Sequence, residues 1–330
     1  MTSSVPHIDE PRSRATPTPA EPLPAAIHSV QPGGGWCYQI ELAWGRWRRW
    51  YLRRFRPGYV ERMAIVRRGS LRGAPHDILD PRDLKYCANQ CTAHWDEVDD
   101  PFTWRERLPF ARWGLAELVL LGSAMIVLVA LALWTWWPAA IVPALLLAEV
   151  VYFFRDPPRR VPTEPGLLVA PADGKVVDVT RLEHDDWIGG PAVRIGIFLS
   201  IFNVHVNRAP CAARVIRLVY RPGAFRNALD PRSLEVNENL WIGLEEPQPP
   251  YRRLAVRQIA GAIARRIVCT LRPDEVVERG ERFGMIKLGS RTELLLADEP
   301  QLEILTQIGQ HVRAGSSIVA RYHQVSEVNG

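Results

Sequence analysis

Three side chains in the second half of the 330-residue chain could together activate a hydroxyl group. They are Asp173 in the turn PADGKV, His205 in FNVHVNR and Ser290 in KLGSRT. An acid, a base and a nucleophile, each beside a predicted strand, are the parts of a catalytic triad in which the base takes the proton of the nucleophile. Each residue also has an ordinary structural interpretation, because Asp before Gly forms turns, a single His packs in strands and Gly-Ser is common in loops. The three residues alone leave both interpretations open.

The strands that would position these side chains begin after Val161. Short β-branched runs are separated there by Gly, Pro and Asp, without regular alternation of strands and helices. The runs are LLVAPADGKVVDV, VRIGIFLS, RVIRLVY, LAVRQIA, RIVCTL, GMIKLGS and ELLL. They predict a mainly β catalytic domain over residues 158–330, as a compact barrel or sandwich. Near its end, GQHVRAGSSIVARY is similar to the turn-strand element of lipoyl domains without their modified lysine, and we interpret this lipoyl-like element as scaffold.

Two apolar segments precede the β region. Residues 115–137 contain one charge, Glu117, and are long enough to cross a hydrocarbon core of about 30 Å. After Pro138, a second apolar run with one charge, Glu149, is slightly short for a span. The pair predicts an α-helical membrane hairpin within residues 115–157, with a buried hairpin of a soluble protein as the alternative. Arginines on both flanks predict that the hairpin ends and the catalytic domain face the cytoplasm, at the inner membrane.

The N-terminal third has two parts of different composition. Residues 1–35 are rich in Pro, Ser, Thr and Ala, which predicts a disordered tail, and they lack the pattern of a cleaved signal peptide. Residues 36–114 form an extension dense in Arg and Trp, to which the sequence assigns no role. Four aromatic residues of this extension lie three or four positions apart, namely Trp44, Trp47, Tyr51 and Phe55. A helix would place them on one face, which could lie on an anionic bilayer or pack on the extension itself.

Composition favours attraction to anionic surfaces in a reducing compartment. Basic residues number 41 against 36 acidic ones, and all but three of the basic residues are arginines. Five cysteines without a regular framework favour reduced thiols. The spacing of Cys87, Cys91 and His94 lacks a fourth zinc ligand, so no metal site is predicted. No nucleic-acid-binding module accompanies the arginines, so no nucleic-acid partner is expected.

Longer motifs around the three candidate residues resemble the phosphatidylserine decarboxylase family. The similarity runs from about Phe154 to Tyr322, through FRDPPR, APADGKV, IFLSIFNVHVNRAP, YRPGAF, NEN at 237–239, VRQIAGAIARRIV and GERFGMIKLGSR. The GSR form of the last motif, in place of GST, is similar to the short branch of that family. The resemblance implies a membrane-bound lyase that converts phosphatidylserine to phosphatidylethanolamine.

The resemblance also implies that Ser290 becomes a pyruvoyl cofactor. Ser290 would attack the carbonyl of Gly289, and elimination from the resulting ester, hydration and loss of ammonia would leave the pyruvoyl group. By analogy, His205 would take the Ser290 proton and Asp173 would fix the imidazole tautomer. Cleavage between Gly289 and Ser290 would leave chains of 289 and 41 residues as partners, with a homodimer also possible.

In decarboxylation, the resemblance implies a Schiff base between the pyruvoyl group and the serine amine of the phospholipid. The conjugated carbonyl would accept the electrons released with carbon dioxide, a task that pyridoxal phosphate performs elsewhere. Two alternatives stay open. One is a pyruvoyl decarboxylase of another serine-bearing substrate, and the other is a membrane-anchored β scaffold without catalysis.

Overall fold

The computed structural model describes residues 16–22, 35–87, 90–228, 230, 232–262, 266–287 and 289–323. Its helices are α1 Gly35–Phe55, α2 Pro57–Val66, α3 Leu115–Thr135, α4 Ile141–Phe153 and α5 Ser233–Val236. Its strands are β1 Leu167–Val169, β2 Gly174–Asp185, β3 Gly190–Leu199, β4 Val206–Arg208, β5 Ala213–Arg221, β6 Asn239–Glu245, β7 Arg253–Ile259, β8 Ile267–Cys269, β9 Val276–Val277, β10 Arg282–Ile286, β11 Ser290–Ala297, β12 Leu302–Ile304, β13 His311–Val312 and β14 Ile318–Tyr322. The prediction of a mainly β C-terminal region is confirmed.

An eight-stranded antiparallel sheet forms the centre of the β region, in the order β13-β2-β3-β11-β7-β6-β5-β9. On β3, the alternating residues Ile195, Ile197 and Leu199 are buried in the main hydrophobic core, as a strand period of two requires. Strand β11 is buried along its whole length because β3 and β7 pair with it on its two sides. Its first residue, Ser290, is opposite Leu199 at the end of β3. The sheet therefore fixes the backbone of Ser290.

A smaller antiparallel sheet, β4-β10-β8, carries the chain toward Ser290. Strand β10 ends at Ile286 and β11 begins at Ser290, so residues 287–289 connect the two sheets. Strand β4 begins directly after His205 and pairs with β10. His205 and the connection that ends at Gly289 consequently lie on neighbouring elements. A third sheet, β1-β14-β12, completes the β region.

Helices α3 and α4 form an apolar pair ahead of the sheets. Gly122 on α3 packs against Leu147 on α4, which brings the two helices together. Among the described residues, α3 is the one helix whose length and mean hydropathy would allow it to cross a bilayer, and most of its apolar side chains face outward. Helix α4 has 13 residues and is shorter than a span, as its sequence indicated.

The α3–α4 pair is attached to the β region by its ends. Phe153 and Phe154 at the end of α4 pack with Val204, Val206 and Met285 in one buried cluster. Aromatic rings of this size bury much apolar area, and two of them join the helices to β4 and β10. The base of the helix pair is therefore part of the surroundings of His205.

The Arg- and Trp-rich extension has its own small core beneath α1 and α2. Buried Ile78, Cys87, Cys91 and Trp95 form this cluster. The Arg48 guanidinium binds the buried carboxylates of Asp80, at 2.9 Å, and Asp83. Cys87 and Cys91 each donate their thiol proton to a backbone carbonyl.

The predicted disordered tail falls partly on residues 1–15 and 23–34, which lie outside the described residues. Residues 16–22, in contrast, lie against the large sheet, and for them the expectation of disorder is corrected. The amide of Thr18 donates to the buried Glu245 carboxylate at 2.9 Å, and the amide of Glu21 donates to the Ile216 carbonyl at 2.7 Å. Composition failed here because the partners of this segment, Glu245 and the Ile216 carbonyl, are distant in sequence and leave no trace in its local composition.

Candidate active site

The connection between β10 and β11 presents the bond between Gly289 and Ser290. Gly289 has φ of +61°, a left-handed conformation that glycine adopts without the strain of a side chain. Ser290 is fully buried, and its Oγ has no hydrogen-bond partner among the residues that the structure describes. A buried hydroxyl without a partner is unusual, because leaving it unpaired is unfavourable. It is available as a nucleophile next to the Gly289 carbonyl.

His205 lies beside this bond, in the loop between β3 and β4. Asn203 shapes the loop, because its side-chain oxygen accepts hydrogen bonds from the amide and hydroxyl of Ser200. The Nδ1 of His205 donates to the Asn203 carbonyl at 2.8 Å, and Nε2 accepts from the Gly289 amide at 3.2 Å. These partners assign the proton to Nδ1 and leave the lone pair on Nε2. The unprotonated nitrogen thus points at the residue that precedes Ser290.

Burial keeps the His205 ring neutral. The ring is fully buried, with the Phe153 ring 4.5 Å away between centroids. Desolvation, with a further contribution from the charge of Arg155, lowers the pKa of His205 to about 4, although the Asn203 carbonyl favours the charged form. At neutral pH His205 is therefore a proton acceptor at Nε2.

Asp173 is not the partner of His205 within the described part of the chain. Its carboxylate accepts two hydrogen bonds from Arg159, at 3.0 and 2.9 Å, and one from the Ala314 amide at 2.7 Å. Burial raises the pKa of Asp173, and the charge of Arg159 opposes that change. The expected contact between Asp173 and His205 is corrected, since the Asn203 carbonyl occupies Nδ1. A role for Asp173 in maturation stays a prediction.

Gly261 is a site residue that the sequence did not single out. A Cβ on Gly261 would overlap the carbonyl oxygen of Gly289. Only glycine lets the backbone approach the carbonyl that Ser290 would attack. The motif VRQIAGAIARRIV contains this glycine, but nothing in its local pattern indicates that its Cα lies against Gly289.

Lys287, three residues before Ser290, is a second residue that sequence reasoning missed. The buried ammonium group binds Glu41 of α1 at 3.4 Å and Glu117 in the first turn of α3. Glu41 also binds the buried Arg266 at 3.2 Å. The extension and the apolar helix pair are thereby joined to the connection that ends at the bond between Gly289 and Ser290. Glu117, the single charge in its apolar run, was the one available signal.

A buried polar network lies on the same face of β11 as Ser290. Thr292, two residues further along the strand, accepts from Asn207 at 3.2 Å, and Asn207 accepts from Gln258 at 2.9 Å. All three side chains are fully buried. The Oε1 of Gln258 has no partner among the described residues. The interior next to Ser290 therefore offers polar groups that the ketone oxygen of a pyruvoyl group at position 290 could meet, and these residues fit such a group.

Comparisons with known proteins match the chain to one family. A family model described as phosphatidylserine decarboxylase matches residues 146–320. A phosphatidylserine decarboxylase proenzyme of Rhodopirellula baltica is 52% identical over 241 residues, which cover 73% of this chain and 100% of the relative. Proenzymes of the same name from Carboxydothermus hydrogenoformans and Desulfotalea psychrophila are 42% and 43% identical, over 66% and 54% of this chain and 98% and 81% of the relatives. The chain belongs to the phosphatidylserine decarboxylase family.

Proposed function

We propose that the protein cuts its own chain between Gly289 and Ser290 and then converts phosphatidylserine to phosphatidylethanolamine with a pyruvoyl group at position 290. The observation that carries the proposal is the pairing of the unprotonated His205 Nε2 with the Gly289 amide, beside a Ser290 hydroxyl that has no hydrogen-bond partner in the described part of the chain. Family membership supplies the reaction, and the relatives are named as proenzymes, which supports processing into two chains.

Self-cleavage begins with attack of Ser290 Oγ on the carbonyl carbon of Gly289. His205 Nε2 takes the hydroxyl proton as the carbon–oxygen bond forms. When the carbon–nitrogen bond breaks, the imidazolium returns that proton to the nitrogen of Ser290, which leaves an ester and a free amine. For this step, His205 Nε2 gives up its hydrogen bond with the Gly289 amide and accepts one from the hydroxyl of Ser290, the next residue in the chain. The low pKa of His205 favours rapid return of the proton.

The surroundings of position 290 suit the later reaction. The pyruvoyl group supplies an electron sink when carbon dioxide is lost. His205 would hold a proton beside it, and the buried pair of Asn207 and Gln258 would offer polar groups on the same sheet face. Phe153 covers the His205 ring and excludes water from it. The 41-residue chain stays bound because β11 is hydrogen-bonded to β3 and β7 on both sides.

The apolar helix pair supports a membrane location for this chemistry. We keep the proposed boundaries of tail 1–35, extension 36–114, hairpin 115–157 and catalytic domain 158–330. At the hairpin tip Trp134 is 91% exposed, and Trp136 and Trp137 are also exposed, as suits a bilayer interface. Arginines at the hairpin base favour a cytoplasmic catalytic domain at the inner membrane.

Two finer proposals concern the β region and its assembly. The region from β13 to β14 is proposed as the lipoyl-like scaffold of a barrel or sandwich, because its Ala314 amide holds Asp173. A homodimer stays a prediction.

Phosphatidylethanolamine formation by the purified full-length protein tests the proposal. We expect product from the wild type and none from Ser290→Ala, whose chain stays uncut. His205→Ala should stay uncut or be cut very slowly, whereas Ser316→Ala, a matched change in the turn after β13, should be cut and active. A wild-type chain that is cut but leaves phosphatidylserine unchanged would favour another serine-bearing substrate. A wild-type chain that stays uncut would favour the alternative of a membrane-anchored β scaffold without catalysis.

Asp173→Asn separates two possible roles of that carboxylate. If Asp173 acts only by holding Arg159 and the Ala314 amide, the substitution should change the rate of self-cleavage. The pH midpoint of the cleavage rate should then stay at the wild-type value. A shifted midpoint would show that Asp173 acts on His205 directly.

A further inference from the structure

The aromatic residues of α1 form an exposed ladder. Trp44, Trp47, Tyr51 and Phe55 lie on one face, with successive ring centroids 5.0, 5.8 and 5.2 Å apart. Trp44 is 61% exposed and Phe55 is 56% exposed. The aromatic residues therefore do not pack into the extension, which was one of the two possibilities that the sequence left open. Exposed tryptophans of this density are typical of surfaces that meet the headgroup region of a bilayer.

A cavity of about 690 Å³ lies beside the ladder and is strongly basic. Its α1 wall is formed by Arg46, Arg49, Trp50, Arg53 and Arg54, and its other wall by Leu71, Ala74, His76 and Asp77. Asp77 is the one acidic residue of this lining and pairs with Arg53, and Arg49 pairs with Asp83 outside the lining. Arg46 and Arg54 form no ion pair with any residue that the structure describes. Two guanidinium groups are thus left to bind an anion.

The position of α1 identifies the source of that anion. Glu41 near the start of α1 and Glu117 in the first turn of α3 both bind Lys287, so the two helices start next to each other. Because α3 is the candidate membrane span, the start of α1 lies beside the point where α3 would enter the bilayer. Guanidinium groups bind phosphate with two parallel hydrogen bonds, and neighbouring tryptophan rings suit the glycerol and upper acyl region of a lipid.

We propose that α1 carries a binding site for an anionic phospholipid of the bilayer. The lipid phosphate occupies the basic cavity, held by Arg46 and Arg54, while Trp47 and Trp50 contact the lipid above it. The site lies outside the residues that surround Ser290 and requires no chemical change of the lipid. It assigns to the extension the task of holding the enzyme against anionic membrane.

Lipid binding to the full-length Ser290→Ala chain tests this proposal. That variant cannot mature, and phosphatidylglycerol carries no serine amine, so the result is independent of the proposed decarboxylation. In non-ionic detergent micelles, native mass spectrometry would count bound phosphatidylglycerol against phosphatidylcholine. We expect the Ser290→Ala chain to bind phosphatidylglycerol in preference to phosphatidylcholine. Adding Arg46→Gln and Arg54→Gln to this chain should weaken phosphatidylglycerol binding about thirtyfold. Equal binding of the two lipids would overturn the proposal.

Two further variants make the test independent of folding defects. Asp77→Asn removes the acid that competes for Arg53 and should tighten phosphatidylglycerol binding several-fold, a gain that a misfolded protein would not give. The pair Arg232→Gln/Arg313→Gln removes the same charge from exposed positions of the β region and should leave binding unchanged. If this control pair weakened phosphatidylglycerol binding as much as Arg46→Gln/Arg54→Gln does, the loss of binding would be due to net charge alone. Displacement of the lipid by millimolar inorganic phosphate would assign the cavity to a free anion instead. Either result contradicts the proposal.

Discussion

Acidification tests whether His205 is the base of self-cleavage. Burial holds the pKa of His205 at about 4, so its Nε2 should stay unprotonated well below neutral pH. At pH 5, about 90% of a histidine with this pKa is neutral, against about 3% of a histidine with the ordinary pKa of 6.5. A cleavage rate that follows the neutral fraction should therefore be nearly full at pH 5. At pH 5, the fraction of the full cleavage rate that remains differs about thirtyfold between the two pKa values.

The assay follows newly made chains. A short pulse of cell-free synthesis into lipid nanodiscs, stopped and transferred to buffers between pH 4.5 and 8, would supply uncut protein. Appearance of the 41-residue chain, detected by a C-terminal tag, gives the rate. His311→Gln changes an exposed histidine and should leave the profile unchanged. A midpoint near pH 6.5 in the wild type would refute the reasoning, because it would mean that water reaches His205 in the uncut chain.

The same protonation affects stability, and its direction is fixed by the shift. The pKa of His205 is lower in the folded chain than in the unfolded chain. The contribution of neutral His205 to the free energy of unfolding is therefore complete above pH 6.5 and is lost as the pH falls toward 4. At pH 5 the free energy of unfolding should be lower by about 2 kcal/mol than at pH 8. Urea unfolding of the uncut Ser290→Ala chain would measure this loss and show that the chain is still folded at pH 5.

Two substitutions test the residues that the sequence did not single out. Gly261→Ala places a Cβ against the Gly289 carbonyl and should slow self-cleavage about a hundredfold, since misplacing a reacting group by about 1 Å has an effect of that size. The pair Glu41→Gln/Glu117→Gln leaves the buried Lys287 without its acidic partners and should slow self-cleavage and destabilise the chain by about 3 kcal/mol, as measured by the cleavage time course and urea unfolding.

Each substitution has a matched control. Gly190→Ala adds a Cβ where no atom lies within 4 Å and should be cut at the wild-type rate. Glu164→Gln removes an exposed acid that pairs with Arg321 and should change neither stability nor cleavage. Normal cleavage of Gly261→Ala would contradict the close approach to Gly289. Normal stability of the Glu41 and Glu117 pair variant would contradict the link through Lys287.

Local patterns in the sequence predicted the elements of the fold better than their assembly. Alternating β-branched runs are sufficient to predict strands, because burial of one strand face requires a period of two. The order β3-β11-β7 could not be predicted in the same way, because these strands are distant in sequence and pair through backbone groups common to all residues. The contact of Thr18 with Glu245 was missed for a similar reason, since the partners are 227 residues apart.

In the candidate site, too, some features could be predicted from local motifs and others depend on contacts between distant parts of the chain. His205, Gly289 and Ser290 could be proposed from motifs, because their chemistry resides in the side chain or in its absence. The Asn203 carbonyl at His205 Nδ1 could not, because a backbone acceptor leaves no trace in residue type. Asp173 was a plausible partner by residue type, but Arg159 and the Ala314 amide already occupy its carboxylate.

Mass spectrometry of the intact, purified protein tests the central claim most directly. Cleavage between Gly289 and Ser290 with formation of a pyruvoyl group predicts two chains, of 289 and 41 residues. The smaller chain should be lighter by one ammonia than its sequence with a free serine at its start, and it should resist Edman degradation. A single 330-residue chain, or a 41-residue chain that begins with an unmodified serine, would contradict the account.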